Sequence, residues 1–576
     1  MTALVRTIIL SPPGGDAPTW PDAVPGYAPA TGLVDLLDVE LVYALTLARP
    51  RPGVYVPAEP SQWEPRSVGD HAVAGRRSIA LKIPPPDLDR LDRFATEDFT
   101  TAADDPDLPN KWFDGRIIGA GEVSRSVRLS PLDSAAVTTQ AGAVRIANAD
   151  GALDEFGDDT DVATAEVNID IGRRGAPWGA FQRVATCRTE KVDLTSEDAT
   201  INFTEYDTLY DAPFNSMTFA GTGDLEGPPE LADSPKPVVI GSVFNIQPVL
   251  IDAVAFVFMA HTGVLRAVTA ARYGGLDHAF TADYADIDDL RAAPLAVGEY
   301  ATCLAFGLVR MGLTQGGVSG GFIVTLDCEA GEAASSDGAV IAAWIATAAD
   351  DALGATTDEP SWAALAAALP GLVYGRFLSI EVTWRDLMED VMRSIGAHWG
   401  ANRSGLIAAA LLQPPDVIGA PELEIDEYDV LRISRLGLPD GFTYPHSERT
   451  ILFGRNWSPT GSVAAAANAK LMAIEWREKR VGTPIPGRRA VAPPLAETGL
   501  LLAADAEAVA NRLLELHGVQ RAMFSVTIPI NIGMPGLLTT VNVTFPRFGL
   551  DGGRRLVVVA TTESYAAGEV TLTLWG

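Results

Sequence analysis

Short segments in which apolar and polar residues alternate dominate the pattern of this chain. They lie at residues 126–129, 143–147, 165–171, 200–203, 537–544, 556–562 and 570–575. A period of two places every second side chain on one face of a strand, so we predict antiparallel strands there. The 54 glycines and 40 prolines are scattered between runs of this kind and mark frequent turns. The pattern therefore predicts a β-rich protein with few helices.

Residues 384–399 break this pattern with a helical period. Their apolar side chains recur at spacings of three and four, at Trp384, Leu387, Met388, Val391, Met392, Ile395 and Trp399. That spacing puts them on one face of a helix, and Thr383 and Asp386 are placed as a capping box at its start. We expect this face to pack beneath a strand predicted at residues 406–412.

A second helical period lies near the C-terminus. Apolar residues repeat at spacings of four and three, at Leu502, Ala506, Val509, Leu513 and Leu516. Gly518 stands where a helix C-cap is expected. Residues 339–349, 361–368 and 462–480 are further helix candidates. The Pro-rich region before residue 91 predicts loops or polyproline segments, and its role cannot be read from the sequence.

Length and charge limit the classes of protein that fit. A chain of 576 residues exceeds the roughly 250–300 residues at which a single core stops growing, so several domains are expected. Its 43 Lys and Arg against 74 Asp and Glu give a formal net charge of −31. Nucleic-acid binders gain affinity through Lys and Arg contacts to phosphate, and no Lys/Arg-rich run occurs here. We therefore expect DNA to pass such a surface without being held.

No segment has the length expected of a membrane span. The longest apolar stretch, residues 248–260, is interrupted by Asp252 and falls short of the about 20 residues that a spanning helix needs. The apolar run at Ile8, Ile9 and Leu10 is too short for a signal peptide. We expect folding in a cytoplasm.

The three cysteines are Cys187, Cys303 and Cys328. Their odd number and the absence of CxxC spacing argue against a disulfide framework and against a structural zinc site. We predict that they are buried as small apolar residues.

The segment Gly317, Val318, Ser319, Gly320, Gly321 matches the GxSxG pattern of a nucleophile elbow. An elbow requires a strand before the Ser and a helix after it. Here the turn-forming glycines precede strand-like sequence at residues 322–326, so a hairpin is the better interpretation. Of the six histidines, His398, His446 and His517 follow the Ser, and none lies in a recognisable motif. We interpret the Ser as structural.

Two acidic clusters are the remaining candidates for a ligand site, at Asp104, Asp105 and Asp107 and at Asp158, Asp159 and Asp161. Neither has the ligand spacing, central Gly or closing Glu of an EF-hand loop, so solvated loops are expected. No phosphate-binding loop, HExxH pair or dinucleotide fingerprint occurs. We therefore predict no catalytic residue, no metal-ligating residue and no cofactor.

A series of short sequence segments, which we call phrases, resembles segments of tail-tip proteins of long, non-contractile-tailed phages. The resemblance is in particular to baseplate hub proteins of Mu-like siphophages and their relatives. The phrases are GAVRIANADGALD at 142–154, FAGTGDLEG at 219–227, PKPVVIGSVFNIQPVLID at 235–252, GEYATCLAFGLVRMG at 298–312, NRSG at 402–405, PRFGLDGG at 546–553 and VTLTLWG at 570–576. Their order, from Phe94 to the C-terminus, is more specific than any one of them. Residues before Phe94 match nothing in that family.

The resemblance implies a β-rich α+β, multidomain hub with tail-tube-like β-barrels and small α+β insert domains. The domains expected from it are an unassigned Pro-rich region 1–93, a β-barrel hub domain 94–235, a second hub domain 236–375, an α+β insert domain 376–495, and a C-terminal helix with strands, 496–576, that completes a tube-like barrel. It implies a homotrimer around the tail axis of the virion, assembled in the host cytoplasm. Its partners would be the distal tail protein, the tape measure protein and tail fibre or receptor-binding proteins.

Three alternatives remain open. A distal tail ring protein would share the resemblance. A tail-associated hydrolase, of glycosidase or peptidase type, would use carboxylates such as Asp150 and Asp154, and one of them would need a raised pKa in a pocket. The hub interpretation instead places both residues in an exposed turn. A receptor-binding fibre would show repeats or an extended shaft, and the sequence has no internal repeat.

The structural interpretation of Ser319 predicts that Ser319→Ala leaves virion infectivity near normal, because the neighbouring glycines, and not the hydroxyl, supply the backbone freedom of the turn. A plaque assay on virions that carry the variant measures this. Lost infectivity in virions whose tails assemble normally would instead identify a catalytic Ser.

Overall fold

The computed structural model describes residues 41–48, 91–127, 129, 136–157, 165–204, 206–314, 323–331, 335–439, 442–459, 471, 475–483 and 495–576. Within them the chain divides into two compact units. The first takes its residues from the chain up to Glu122, from Ala141–Glu205 and from Tyr565–Ala567. The second takes them from Val123–Gln140, Tyr206–Ser564 and Gly568–Gly576. More than one core is what the length of the chain requires.

A seven-stranded antiparallel sheet forms the first unit, in the order β2-β1-β9-β10-β11-β8-β5. The strands in this part of the chain are β1 (Leu41–Ala48), β2 (Leu91–Ala95), β3 (Phe99–Thr100), β4 (Trp112–Phe113), β5 (Ile117–Gly119), β6 (Glu122–Val127), β7 (Val137–Ala141), β8 (Ala143–Ala147), β9 (Glu166–Arg173), β10 (Gln182–Leu194) and β11 (Asp198–Thr204). Strands β6 and β7 belong largely to the second unit. Val167, Val184 and Ile201 are fully buried in the core of the sheet. The strands predicted at 126–129, 143–147, 165–171 and 200–203 are confirmed, although β6 ends at Val127.

Strand β1 corrects the prediction that the region before residue 91 has no regular element. It pairs antiparallel with β2 on one side and with β9 on the other, through Ala44 opposite Ala95 and opposite Asp170. The apolar and β-branched residues of β1 favour a strand, but the many prolines around it led to the prediction of loops. Both pairings join residues far apart in the sequence, so no local pattern could indicate them.

Two five-stranded sheets form the first part of the second unit, in the orders β16-β15-β20-β12-β21 and β13-β14-β19-β18-β17. Their strands are β12 (Val238–Ile246), β13 (Val249–Asp252), β14 (Val257–Met259), β15 (Leu265–Tyr273), β16 (Leu276–Asp277), β17 (Ala279–Asp283), β18 (Glu299–Cys303), β19 (Leu308–Met311), β20 (Val324–Ala330) and β21 (Gly375–Leu378). The helices here are α1 (Ile287–Ala292), α2 (Gly338–Leu353) and α3 (Glu359–Ala368). Helices α2 and α3 confirm two of the predicted candidates.

Helix α4 (Trp384–Ile395) has the capping box that the sequence predicts. The Thr383 side chain accepts a hydrogen bond from the Asp386 N–H, and the Asp386 carboxylate accepts one from the Thr383 N–H. The predicted C-terminal end at residue 399 was wrong. Gly396 ends the helix in the left-handed conformation, with φ 65°, and Trp399 lies in the next strand. Glycine adopts that conformation without steric cost, so its position sets the end of the helix.

The remaining elements complete the second unit. They are β22 (His398–Ala401), β23 (Ile407–Ala410), β24 (Leu423–Ile425), β25 (Arg432–Leu436), β26 (Glu448–Phe453), β27 (Arg477–Gly482), β28 (Ala496–Glu497), α5 (Ala503–His517), β29 (Met523–Pro529), β30 (Thr540–Phe545), β31 (Leu550–Ser564) and β32 (Glu569–Trp575). Helix α5 and the predicted strands at 406–412 and near the C-terminus are confirmed. The helix predicted at 462–480 was wrong where it overlaps β27, which pairs with β26. Residues 462–470 lie outside the described residues.

The described residues also form short 3₁₀-helices at Asp154–Gly157, Trp178–Ala180, Tyr206–Asp211, Asp224–Glu226, Pro229–Leu231 and Leu304–Phe306. Within the described chain, no helix combines the length and the apolar character needed to cross a bilayer.

An eight-stranded sheet contains the C-terminal strands. Its main path runs β24-β30-β31-β32-β29-β25, and β6 and β7 attach through β31. The two end strands of this path, β24 and β25, are separated in sequence only by residues 426–431, and a turn folds this link, since the Asp429 N–H donates to the Asp426 carbonyl. In a flat sheet of six strands, the two outer strands would lie about 24 Å apart, since each of the five spacings is about 4.8 Å. A folded link of this length is too short to span that distance. The sheet accordingly curls into a half-barrel.

The apolar face of α4 generates the first stability prediction. Val391 is fully buried in the core that α4 shares with β23 and α5. Val391→Asp places an unpaired charge there, at a cost on the order of several kcal/mol, comparable with the stability of a domain. Denaturant unfolding of the soluble fraction measures the loss.

The matched control is Val340→Asp on α2, where Val340 is 37% exposed in the first turn. A carboxylate near a helix N-terminus is tolerated or slightly stabilising. A Val391→Asp protein that unfolds cooperatively at the wild-type denaturant midpoint would show that the face is not buried.

Candidate functional site

A buried carboxylate lies between two arginines in the second unit. Glu563 on β31 is 0% exposed. The Arg403 guanidinium donates a hydrogen bond to its carboxylate, and Arg125 of β6 lies 3.6 Å from the same oxygen. The Glu563 and Arg125 side chains are almost fully buried and Arg403 is 23% exposed, so the two guanidinium groups, and not water, compensate the carboxylate charge. We call Arg125, Arg403 and Glu563 the Glu563 clamp.

Arg403 also holds the loop that precedes β30. Its guanidinium donates to the carbonyl of Met534 at 2.7 Å and to that of Pro535 at 3.3 Å. The clamp therefore joins three parts of the second unit: the β22–β23 hairpin, the loop before β30, and the β6–β31 strand pair. This function of Arg403 could not be predicted from the sequence, because its partners are more than 130 residues away.

The turn that carries Arg403 is built by its neighbours in the NRSG phrase. The Asn402 side-chain oxygen accepts hydrogen bonds from the Ser404 N–H at 2.9 Å and the Leu406 N–H at 3.1 Å. Gly405 has φ 75°, a conformation that suits glycine. Asn and Gly thus shape the hairpin, and the Arg side chain is projected toward Glu563. The arrangement is structural, since no face of the carboxylate is open to solvent.

Asp150 and Asp154, the candidate catalytic carboxylates of the hydrolase alternative, lie in an exposed turn after β8. Both Asp150 oxygens accept hydrogen bonds from Arg116, at 2.7 and 2.6 Å, and the Asp150 side chain is 54% exposed. The Arg116 guanidinium holds the pKa of Asp150 well below its usual range. Asp154 accepts a hydrogen bond from the Asn148 side chain at 2.8 Å. A general acid needs a raised pKa, so Asp150 is unsuited to that role.

The first acidic cluster differs from the solvated loop that was predicted. Asp104 and Asp107 are exposed, but Asp105 is only 5% exposed. Its carboxylate accepts hydrogen bonds from the N–H groups of Asp107 at 3.0 Å, Leu108 at 2.9 Å and Trp178 at 2.7 Å. Asp105 therefore organises the loop, and these backbone bonds lower its pKa against the opposing effect of burial.

Several predicted candidates lie outside the described residues, namely the GxSxG segment 317–321 and the cluster at Asp158, Asp159 and Asp161. In the part of the chain that the structure describes, no three His, Cys, Asp or Glu side chains are grouped so as to hold a metal ion.

The cysteines are buried, as predicted. Cys187, Cys303 and Cys328 are at most 2% exposed and form no disulfide. Burial raises the pKa of the Cys303 and Cys328 thiols, which disfavours the reactive thiolate.

A pocket of about 290 Å³ opens beside β12 and β20. Its lining includes Asp327, but both oxygens of that carboxylate are engaged by Arg272, one at 2.7 Å. Phe244, also in the lining, lies beneath Arg272 and Arg477, each about 5.5 Å from the ring centroid. The carboxylate of Asp327 is thus neutralised by Arg272.

The described residues include five histidines, all buried or half-buried and all in the second unit, namely His261, His278, His398, His446 and His517. His261 is 7% exposed, and its Nδ1 accepts a hydrogen bond from the Val239 N–H at 3.1 Å. His446 and His517 lie beside Phe442, with their ring centroids 5.4 Å apart and their planes tilted by 51°. Burial lowers the pKa of His261 to about 4 and that of His517 to about 3. The lowered pKa values keep the imidazoles of His261 and His517 neutral near pH 7.

Comparison with known proteins gives distant structural neighbours only. No protein-family model and no curated protein matches the sequence. The chain is similar to the 43 kDa tail protein of prophage MuSo2 from Shewanella oneidensis, at 12% identity and a TM-score of 0.35, covering 81% of this chain and 95% of that one. It is also similar to the tail protein from Neisseria meningitidis MC58, at 10% identity and a TM-score of 0.36, covering 80% and 95%.

A third neighbour is a chain in the virion of a native gene transfer agent particle, at 14% identity and a TM-score of 0.37, covering 60% of this chain and 84% of that one. These three neighbours are tail and virion proteins.

The Glu563 clamp predicts a large effect of Arg403→Met. The variant leaves Glu563 buried with one partner fewer and removes two hydrogen bonds to carbonyls, so we expect a loss of about 3–5 kcal/mol in the free energy of unfolding. Denaturant titration measures it. Adding Glu563→Gln should recover part of the loss, because the uncompensated charge is then gone.

An exposed ion pair supplies the control for this prediction. Arg174 of the Arg174–Glu97 pair is 49% exposed, so Arg174→Met should cost at most about 1 kcal/mol. Equal losses for Arg403→Met and Arg174→Met would contradict the clamp.

His261 predicts a pH dependence of stability. Its pKa is about 4 in the folded protein against 6.5 for the unperturbed group. The unfolded chain therefore binds the proton first, and stability falls as pH drops from 6.5 to 4, by at most about 3 kcal/mol from this group. His261→Asn keeps an acceptor for the Val239 N–H and does not titrate.

Unfolding free energies of the two proteins, compared between pH 7 and pH 4, test this prediction. The variant should lose less stability on acidification than the wild type. Identical losses would contradict the assignment of His261 as a buried, neutral acceptor.

Proposed function

We propose that this chain is a structural subunit of a bacteriophage tail tip, a baseplate hub protein that forms a ring around the tail axis and connects the tail tube to fibres. The observation that carries the proposal is the ordered series of phrases from Phe94 to the C-terminus, which resembles tail-tip proteins over most of the chain. Order over such a length is far more specific than any single short motif.

The phrases coincide with features that a structural role requires. The phrase at 142–154 forms β8 and a turn in which Gly151 has φ 71°. The phrase at 235–252 forms β12 and β13, with Gly241 at φ 68° and Asn245 at φ 57°. NRSG carries one arm of the Glu563 clamp. Residues that set backbone shape and take part in buried pairing are consistent with a structural subunit.

The half-barrel supports the assignment of the C-terminal region to a tube-like barrel. It draws strands from β6 and β7, from β24 and β25, and from β29 to β32. We propose the domain divisions 94–235, 236–375, 376–495 and 496–576 for the hub, with 1–93 unassigned. The partners that follow are a second and third copy of the chain, the distal tail protein, the tape measure protein and fibre or receptor-binding proteins.

The charge of the chain fits a ring through which DNA passes. A net charge of −31 repels phosphate, so a channel lined by this protein lets DNA slide without holding it. The second candidate, a distal tail ring, would also need a channel that does not hold DNA, and it differs from the hub in its symmetry. The hydrolase alternative is weakened by Asp150, whose carboxylate is neutralised by Arg116 and exposed.

Assembly tests the proposal. Three copies of charge −31 repel one another unless apolar interface area outweighs the repulsion, so a homotrimer should form more readily as salt screens the charge. Mass photometry of the purified protein should show trimers whose share rises with salt and with protein concentration.

A mass equal to six copies of the chain would favour the distal tail ring. A chain that stays monomeric in every condition, including with its neighbouring tail proteins present, would contradict the hub.

A further inference from the structure

The pocket beside β12 and β20 has the size of a small-molecule site. It has a volume of about 290 Å³ and lies between β12, β15, β20 and β27, next to the residues that precede α5. Ligand pockets in proteins commonly enclose about 300–1,000 Å³. This volume lies at the lower end of that range, so the pocket accommodates a small molecule and is too small for an oligosaccharide.

Arg477 of β27 brings a positive charge into the lining of this pocket. Its half-buried guanidinium lies 5.5 Å from the ring centroid of Phe244, a distance at which a cation is attracted to the ring face. Among the described side chains it has no ion-pair or hydrogen-bond partner. A guanidinium presents five N–H donors in a planar fork that matches a carboxylate or a phosphate. The donors of Arg477 are therefore available to an oxyanion.

The two acidic side chains of the lining have cationic partners of their own. Both oxygens of Asp327 accept hydrogen bonds from Arg272. Glu329 lies 4.0 Å from Arg266, and its side chain is 39% exposed, so water screens its charge as well. Neither carboxylate takes up the charge of the unpaired guanidinium.

Acidic side chains around the pocket are also engaged or turned away. Glu475 pairs with Arg455 at 3.2 Å, and Asp277, 73% exposed, shares Arg272 at 2.9 Å. Glu478 follows the unpaired arginine directly and is exposed. Because side chains alternate along a strand, Glu478 lies on the opposite face of β27. The positive charge in the pocket thus remains uncompensated by the described residues.

Apolar side chains form another part of the wall, contributed by Val243, Phe244, Leu501 and Leu502. Leu502 is 46% exposed and lies at the rim. We propose that the pocket binds a small carboxylate with a short apolar chain, whose carboxylate is held by Arg477 and whose chain packs on this wall. The site is independent of the proposed tail-tip function.

Hexanoate, titrated into the full-length protein by isothermal titration calorimetry, tests the inference. Arg477→Gln should weaken hexanoate binding about ten-fold or more, because the variant loses hydrogen bonds to a charged group. Arg480→Gln is the matched control, since Arg480 lies on the opposite face of the same strand, is 64% exposed and pairs with Glu448. It should leave the affinity within about two-fold of the wild type.

Two further arms separate charge from apolar contact and from misfolding. Hexanol and inorganic phosphate should each bind more weakly than hexanoate, since one lacks the charge and the other lacks the chain. Leu502→Trp should also weaken hexanoate binding, because it fills the rim at a position that makes no side-chain capping bond to α5.

Three results would overturn the proposal. The first is a wild-type protein that does not bind hexanoate, and the second is equal affinity in the wild type and Arg477→Gln. The third is phosphate or hexanol binding as tightly as hexanoate. An equal loss in Arg480→Gln would likewise overturn it, because the effect would then come from the general charge of the strand.

Discussion

The carboxylate of Glu563 has no access to water, and the arrangement of the second unit depends on how its charge is compensated. Two guanidinium groups approach it from elements far apart in sequence, Arg125 on β6 and Arg403 in the β22–β23 turn. A buried ionic group tolerates few alternative geometries, because moving any member leaves a charge unpaired. The clamp thus fixes the hairpin, the loop before β30 and strand β6 against the half-barrel.

Local patterns predicted the elements that local forces determine. Helix α4 follows from an apolar period and a capping box that lie within thirteen residues of one another, Thr383–Ile395. Its C-terminal end was misplaced because Gly396 competes with a period that continues by chance to Trp399. The strands predicted at 143–147 and near the C-terminus followed from alternation, as the burial patterns of β8 and β32 show, whereas β9 is buried on both faces.

Long-range pairing explains what the sequence did not predict. Strand β1 is held by partners on both sides that are remote in the chain, and the curl of the eight-stranded sheet is imposed by the short link between β24 and β25. Asp105 resembled a solvated acid and instead accepts three backbone hydrogen bonds. The candidate catalytic turn at Asp150 was correctly expected to be exposed, although its Arg116 partner was not foreseen.

These features are consistent with the proposed structural role. Asp150 is exposed and paired with Arg116, Asp105 is engaged by backbone N–H groups, and the three cysteines are buried. Cryo-electron microscopy of the purified, assembled protein tests the central claim most directly. Class averages should show a closed three-fold ring around an open axis. Isolated particles without rotational symmetry would contradict the account.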